Sequence, residues 1–214
     1  MNLIDMSPQF AAELQGLRRD LHAHPELSFE EHRTAELVAS RLTEWGIPVV
    51  RGLGDTGVVG VIKLGQSDRA IGLRADMDAL PMQELNGFAH ASRHAGKMHA
   101  CGHDGHTAML LGAARVLAER RNFDGTVVLI FQPAEEGGGG ARRMIDDGLF
   151  DRFPVQAVFG MHNYPGMPVG SFGVTPGPML ASASEFKVSI AGKGAHAAQP
   201  QLAIDPLMAG IQLA

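Results

Sequence analysis

Near the start of the chain, apolar positions recur at helical spacing; further on they gather into short unbroken runs. Ser7-Pro8 supplies an N-cap and a proline at the first helical position, and Phe10, Leu14, Leu17 and Leu21 follow on one face. Ser28-Phe29-Glu30-Glu31 has the form of a capping box. It precedes a second stripe of Ala35, Val38, Leu42 and Trp45, which Gly46 and Pro48 terminate. Val58 to Leu64 and Ala70 to Ala75 are short apolar runs separated by Gly65-Gln66-Ser67-Asp68, and are expected as neighbouring antiparallel strands. Thr107 to Glu119 is apolar on most faces, as a helix lying on a sheet would be. Thr126 to Phe131 and Val155 to Met161 read as buried strands. Helices alternating with buried strands predict an α/β fold, a sheet with helices on both faces.

Past Gly177-Pro178 the pattern changes. Ser184 to Ile190 alternates, with Phe186, Val188 and Ile190 on one face, which predicts a strand of a half-exposed sheet. Asp205-Pro206 predicts the N-cap and first residue of a further helix. The chain stops at Ala214 inside that apolar segment, so a C-terminally truncated chain is expected.

Composition narrows the class. With 214 residues, 45% of them hydrophobic and 19% charged, there is material for one sizeable core or for one core and part of a second domain. A net charge of −5 argues against a nucleic-acid surface. Met1 to Pro8 lacks a basic region followed by an apolar stretch, and no apolar run approaches the roughly 20 residues that span a bilayer. A cytoplasmic protein with no membrane partner is therefore expected. The single cysteine, Cys101, excludes an internal disulfide framework.

Candidate chemistry sits where predicted elements end. In His99-Ala100-Cys101-Gly102-His103-Asp104-Gly105-His106, a thiol and an imidazole two residues apart can both reach one metal cluster. Taken alone, this segment equally describes a loop with a buried cysteine and helix-capping histidines. Glu135-Glu136 follows a predicted strand on irregular backbone, where one carboxylate can bind metal and the other move a proton; alone it also describes a solvated acidic loop. His162 follows another strand directly, and Asp76 and Asp78 follow a third. Ligands collect beyond the carboxyl ends of strands in open α/β sheets, and four such clusters together favour a metal site.

These segments resemble the metallopeptidase family of aminoacylases, hippurate hydrolase and plant auxin-conjugate amidohydrolases, most of all its N-acyl-amino-acid amidohydrolase branch. The resemblance runs from about Leu17 to Asp205. It is carried by Leu21 to Ser28, Leu73 to Pro81, Met98 to His106, Gln132-Pro133-Ala134-Glu135-Glu136, Gly160-Met161-His162-Asn163 and Gly192 to Ala198. It implies Cys101, His103, Glu136 and His162 as ligands of two divalent ions (Zn, Mn, Co or Ni). Glu135 is implied as the general base and acid, with Asp78 supporting the site; Asp76 stands where many relatives have a histidine ligand.

The implied fold is a three-layer helix-sheet-helix catalytic domain over residues 1–180. Residues 181–214 would begin an inserted α+β lid and dimerisation domain, from which His196 reaches the active site of a partner subunit in a homodimer. The implied reaction is hydrolysis of the amide bond in N-acyl-amino acids by a metal-activated water. The family's last histidine ligand comes from a segment beyond Ala214. That leaves an inactive metal-binding fragment, or a dipeptidase of the same family, as alternatives.

Overall fold

The structure, a computed structural model, describes residues 7–181 and 186–213. The chain divides into two compact units, Met1–Pro165 and Gly166–Ala214.

The first unit is built from α1 (Pro8–Ala23), α2 (His32–Glu44), β1 (Val49–Leu53), β2 (Gly57–Leu64), β3 (Ala70–Asp76), α3 (His103–Arg120), β4 (Gly125–Gln132), α4 (Gly140–Asp146), α5 (Leu149–Arg152) and β5 (Ala157–Gly160). Ser7 caps α1 as predicted, its hydroxyl accepting the Phe10 N–H at 3.2 Å. The capping box expected ahead of α2 does not form. Instead the Glu26 carboxylate accepts the Arg33 and Thr34 amides at 2.9 and 2.8 Å, and Ser28 turns inward. A carboxylate at a helix N-terminus satisfies orphan amides and complements the helix dipole, so Glu26 displaces the weaker serine cap.

The sheet order is β1-β2-β4-β3-β5. The strands expected as neighbours, β2 and β3, are therefore separated: β4 lies between them, antiparallel to β2 and parallel to β3. β4 is buried along nearly its whole length, and such a strand belongs at the sheet centre. Its entry is tied to the turn, where Asp124 Oδ1 accepts the Gln66 and Ser67 amides at 2.8 and 2.9 Å.

Alternation along the strands then makes two cores. Val127, Leu129 and Phe131 face α2 and α3 with Val38, Leu42 and Leu111, whereas Val128 and Ile130 face Met144 and Leu149 of α4 and α5. The result is the predicted helix-sheet-helix arrangement. β3, β4 and β5 run parallel, with Asp76 level with Gln132 and Arg74 level with Gly160, so their carboxyl ends share one rim.

In the second unit the described residues form a short 3-10 turn (Pro200–Leu202), α6 (Pro206–Leu213) and a Lys193–Ile204 bridge. Asp205 caps α6 as predicted, accepting the Leu207 amide at 2.9 Å. The strand expected over Ser184 to Ile190 begins outside the described residues. Phe186, Val188 and Ile190 are exposed and in no strand, because an alternating segment needs a neighbour to pair with. Among the described residues, no helix is long and apolar enough to cross a membrane.

Candidate metal centre

Three strand ends and one helix start meet at the shared rim. β3 runs out into Asp76-Met77-Asp78, β4 into Gln132 to Glu136, and β5 into Met161-His162, while α3 begins at His103. Gly102 caps α3 with φ 96°, a left-handed conformation that favours glycine. A β-carbon there would lie 2.3 Å from Asn163 Oδ1, so a larger residue would also displace the Asn163 side chain from the start of α3. The glutamates are aimed by a sharp turn in which Ala134 takes φ 50°. Glu31 holds that turn: it is fully buried, and its carboxylate accepts the Ala134 amide at 2.8 Å and the Thr56 hydroxyl.

Asp78 organises the centre. Its two oxygens accept the Glu135 and Glu136 amides at 3.0 Å each, the Ser28 hydroxyl at 2.8 Å and His103 Nδ1 at 3.3 Å. Burial raises the Asp78 pKa, but the bonds from His103, the two amides and Ser28 outweigh it and hold the carboxyl below its ordinary value. An ionised Asp78 makes His103 Nδ1 a donor, which commits that nitrogen and leaves Nε2 as the one that can reach a metal once it gives up its proton.

Nε2 lies 3.7 Å from Asp76 Oδ1 and 3.8 Å from both Glu135 Oε2 and Glu136 Oε1. His103 Nε2 and Glu136 Oε1 are buried and neither has a hydrogen-bond partner. Two buried polar atoms that face each other without a hydrogen bond cost stability unless a shared cation, a proton or a metal ion, lies between them. Cys101 Sγ sits 3.4 Å from His162 Nε2. Burial first, then the charges of Glu136, Glu135 and Asp76, push the Cys101 thiol up to about 12. Anionic neighbours that suppress a thiolate are the surroundings that a bound cation would reverse.

Three overlapping groups bring ligand atoms within 4.8 Å of one another: Cys101-His103-His162, His103-Glu135-Glu136 and Asp76-His103-His106. Soft sulfur, imidazole and carboxylate donors in that density fit a pair of divalent transition-metal ions.

The structure thus brings together Asp78, Cys101, His103, Glu135, Glu136 and His162. His196 belongs to the second unit, where its Nδ1 accepts the Ala198 amide at 3.1 Å. Asp76 is held by Arg74 at 2.7 Å and by His106 Nδ1 at 2.6 Å. Burial opposes its ionisation, but the His106 bond and the Arg74, His103 and His106 charges leave it at about 2. Sequence reasoning missed Ser28, Glu31 and Asn163. Ser28 and Glu31 read as the two ends of a capping box, and Asn163 as the last residue of the Gly160-Met161-His162-Asn163 segment with no role of its own.

Residues 72–212, well over half of the chain, match Peptidase family M20/M25/M40. The chain is 50% identical over 212 residues to the hippurate hydrolase of Campylobacter jejuni, covering 98% of this chain and 54% of that protein. It is 49% identical over 195 residues to IAA-amino acid hydrolase ILR1-like 4 of Arabidopsis thaliana, covering 91% of this chain and 44% of that one. Among solved structures, the YXEP protein of Bacillus subtilis, a dinuclear metal binding peptidase from the M20 family, superposes with a TM-score of 0.76 at 46% identity. That match covers 79% of this chain and 48% of the other. The chain spans about half the length of the curated relatives it matches. On the family match, backed by these relatives and by the fold, the chain belongs to peptidase family M20/M25/M40.

Proposed function

We propose that this chain carries the principal part of a two-metal amidohydrolase site acting on N-acyl-amino acids. The observation that carries the reading is the orphaned pair of His103 Nε2 and Glu136 Oε1, 3.8 Å apart and buried beside Cys101 and His162. Cys101, His103, Glu136 and His162 would hold the ions. When bound, the ions supply Lewis acidity and make water acidic enough to deprotonate near neutral pH.

The two adjacent glutamates differ in access in the way this reading needs. The Glu136 side chain is 19% exposed with a buried, unpartnered oxygen, suited to ligation; the Glu135 side chain is 43% exposed, suited to proton transfer. Glu135 accepts a proton from the attacking water and returns it to the leaving amine. Asp78 fixes the backbone of both glutamates and the tautomer of His103. The substrate class follows the two relatives, one named for hippurate and one for IAA-amino acids, both amides of an amino acid.

The family resemblance supports a homodimer in which His196 stabilises the developing oxyanion in the partner's site, and a lid beginning near Ala181. A site that needs Cys101 as a free thiol supports a reducing compartment such as the cytoplasm.

The test is Glu135→Gln, with metal content and hydrolysis of N-acetyl-, N-benzoyl- and dipeptide substrates measured together. The expected result is unchanged metal content with turnover lowered by about 100-fold or more. A fully active Glu135→Gln protein would remove Glu135 from the mechanism, and a preference for dipeptides would replace the substrate class.

A further inference from the structure

His162 stands on weak ground for a ligand. It lies just past β5, an edge strand whose four residues are all exposed, and it is itself exposed. The pairing of β5 with β3 ends at Gly160. The bond that reaches the backbone of the next few residues from α3 comes from one buried side chain, His106, one turn into the helix.

The connections form a line. Arg74 and His106 both bind the Asp76 carboxylate, at 2.7 and 2.6 Å. An ionised Asp76 accepts, so His106 Nδ1 carries the proton and Nε2 is left as an acceptor. The Asn163 backbone N–H points into that Nε2 at 3.0 Å; the Asn163 side-chain Oδ1 lies against the same nitrogen and, an acceptor like it, adds no bond there. The Asn163 carbonyl then accepts from His162 Nδ1 at 2.7 Å. With Nδ1 donating, the His162 Nε2 lone pair is the one that faces Cys101 Sγ, 3.4 Å away. The His106 and His162 rings also meet edge to face, with centroids 4.5 Å apart.

We infer that His106 is a positioning residue: it holds the Asn163 peptide so that His162 is presented to the metal centre with its Nε2 free. Asp76, by the same line, supports His106 and does not ligate. This rests on the reading that His162 is a ligand. It assigns to His106 a role that its membership in a potential three-ligand group, Asp76-His103-His106, leaves open. Partners that orient a ligand from behind typically carry about 10- to 100-fold in metal affinity.

A double-mutant cycle separates the possibilities, with Co²⁺ titrated into the full 214-residue chain and followed by its d–d and thiolate charge-transfer absorption. His106→Ala should weaken Co²⁺ binding about 10- to 100-fold. His106→Gln, which keeps an acceptor near the Nε2 position, should recover part of the loss and serves as the test if the alanine variant does not fold. His106→Ala/His162→Ala should bind no more weakly than His162→Ala alone, because the two residues act as one unit. In the metal-free chain, the Asn163 amide should exchange faster with solvent in His106→Ala than in wild type. Additive losses, or an unchanged Asn163 exchange rate, would overturn the positioning role while leaving the metal site intact. Co²⁺ binding unaffected by His162→Ala would instead overturn the ligand reading of His162 and the inference with it.

Discussion

Two buried histidines in the same unit, His22 and His103, are both surrounded by carboxylates and differ in one respect. His22 is saturated: Nδ1 lies 2.8 Å from Asp104 Oδ2 and Nε2 lies 3.1 Å from Glu84 Oε1. Both partners accept, so both nitrogens donate. The Asp104 bond raises the His22 pKa, burial opposes it, and Glu84 adds to the rise. Arg18 completes the cluster, 2.8 Å from Asp104. His103 has one nitrogen committed to Asp78 and the other left bare opposite Glu136. The difference teaches how to tell a structural histidine from a candidate ligand inside one fold. The structural one is closed by its partners; the ligand is held by one nitrogen so that the other stays open.

Breaking the closed cluster should have the largest effect on stability. His22→Ala leaves the buried Glu84 and Asp104 without their shared cation, and should cost about 3–5 kcal/mol of unfolding free energy in a denaturant titration. The fraction that remains folded should still bind metal.

The next effect is on pH dependence, and here the histidines move in opposite directions. His99 is buried with neither ring nitrogen bonded, and burial brings its pKa down to about 4, below the unfolded value of 6.5. A histidine held neutral contributes stability above about pH 6.5 that is lost as pH falls toward about 4, of order 3 kcal/mol. His99→Leu should flatten that limb of the stability profile. His22, raised above 6.5, contributes fully below 6.5 and loses its contribution as pH rises through its folded value. His22→Gln should flatten the alkaline side instead. Flattening on the same side for both variants would break the comparison.

Opening the other cluster should leave the fold and remove the ion. His103→Ala should lower divalent-metal affinity by about 100-fold or more. Metal affinity in the wild type should fall as pH drops, because Cys101 and His103 must both give up a proton to bind; His103 is raised, with burial outweighed by Asp78, Asp76 and Glu136. The smallest effect belongs to Ser28→Ala. It removes one of the donors to Asp78 and should cost about 1 kcal/mol in thermal unfolding, with a minor loss of metal affinity.

Much of the fold was legible because periodicity and termination signals are local. Ser7-Pro8 and Asp205-Pro206 start their helices as read. The strand order was not legible, because nothing local says that the turn after Leu64 sends β3 past a strand formed more than fifty residues later. Glu26 takes the capping position expected of Ser28 for a similar reason: both suit a helix start, and the bond of Ser28 to Asp78 lies outside anything local. Cys101, His103, Glu136 and His162 stood out as ligand-type residues at element ends, and the structure brings them to one rim. Which buried histidines are open and which are closed depends on partners remote in sequence, such as Glu84 for His22 and Asn163 for His106, so composition and spacing could not show it.

The central claim is that metal is held at the open cluster and nowhere near the closed one. Metal analysis after equilibrium dialysis against Zn²⁺ or Co²⁺ tests it directly, on wild type, His103→Ala, Glu136→Ala and His22→Ala. Two ions retained by wild type and by folded His22→Ala, with at least one lost from His103→Ala and from Glu136→Ala, is the predicted result. Undiminished metal in both open-cluster variants would contradict it.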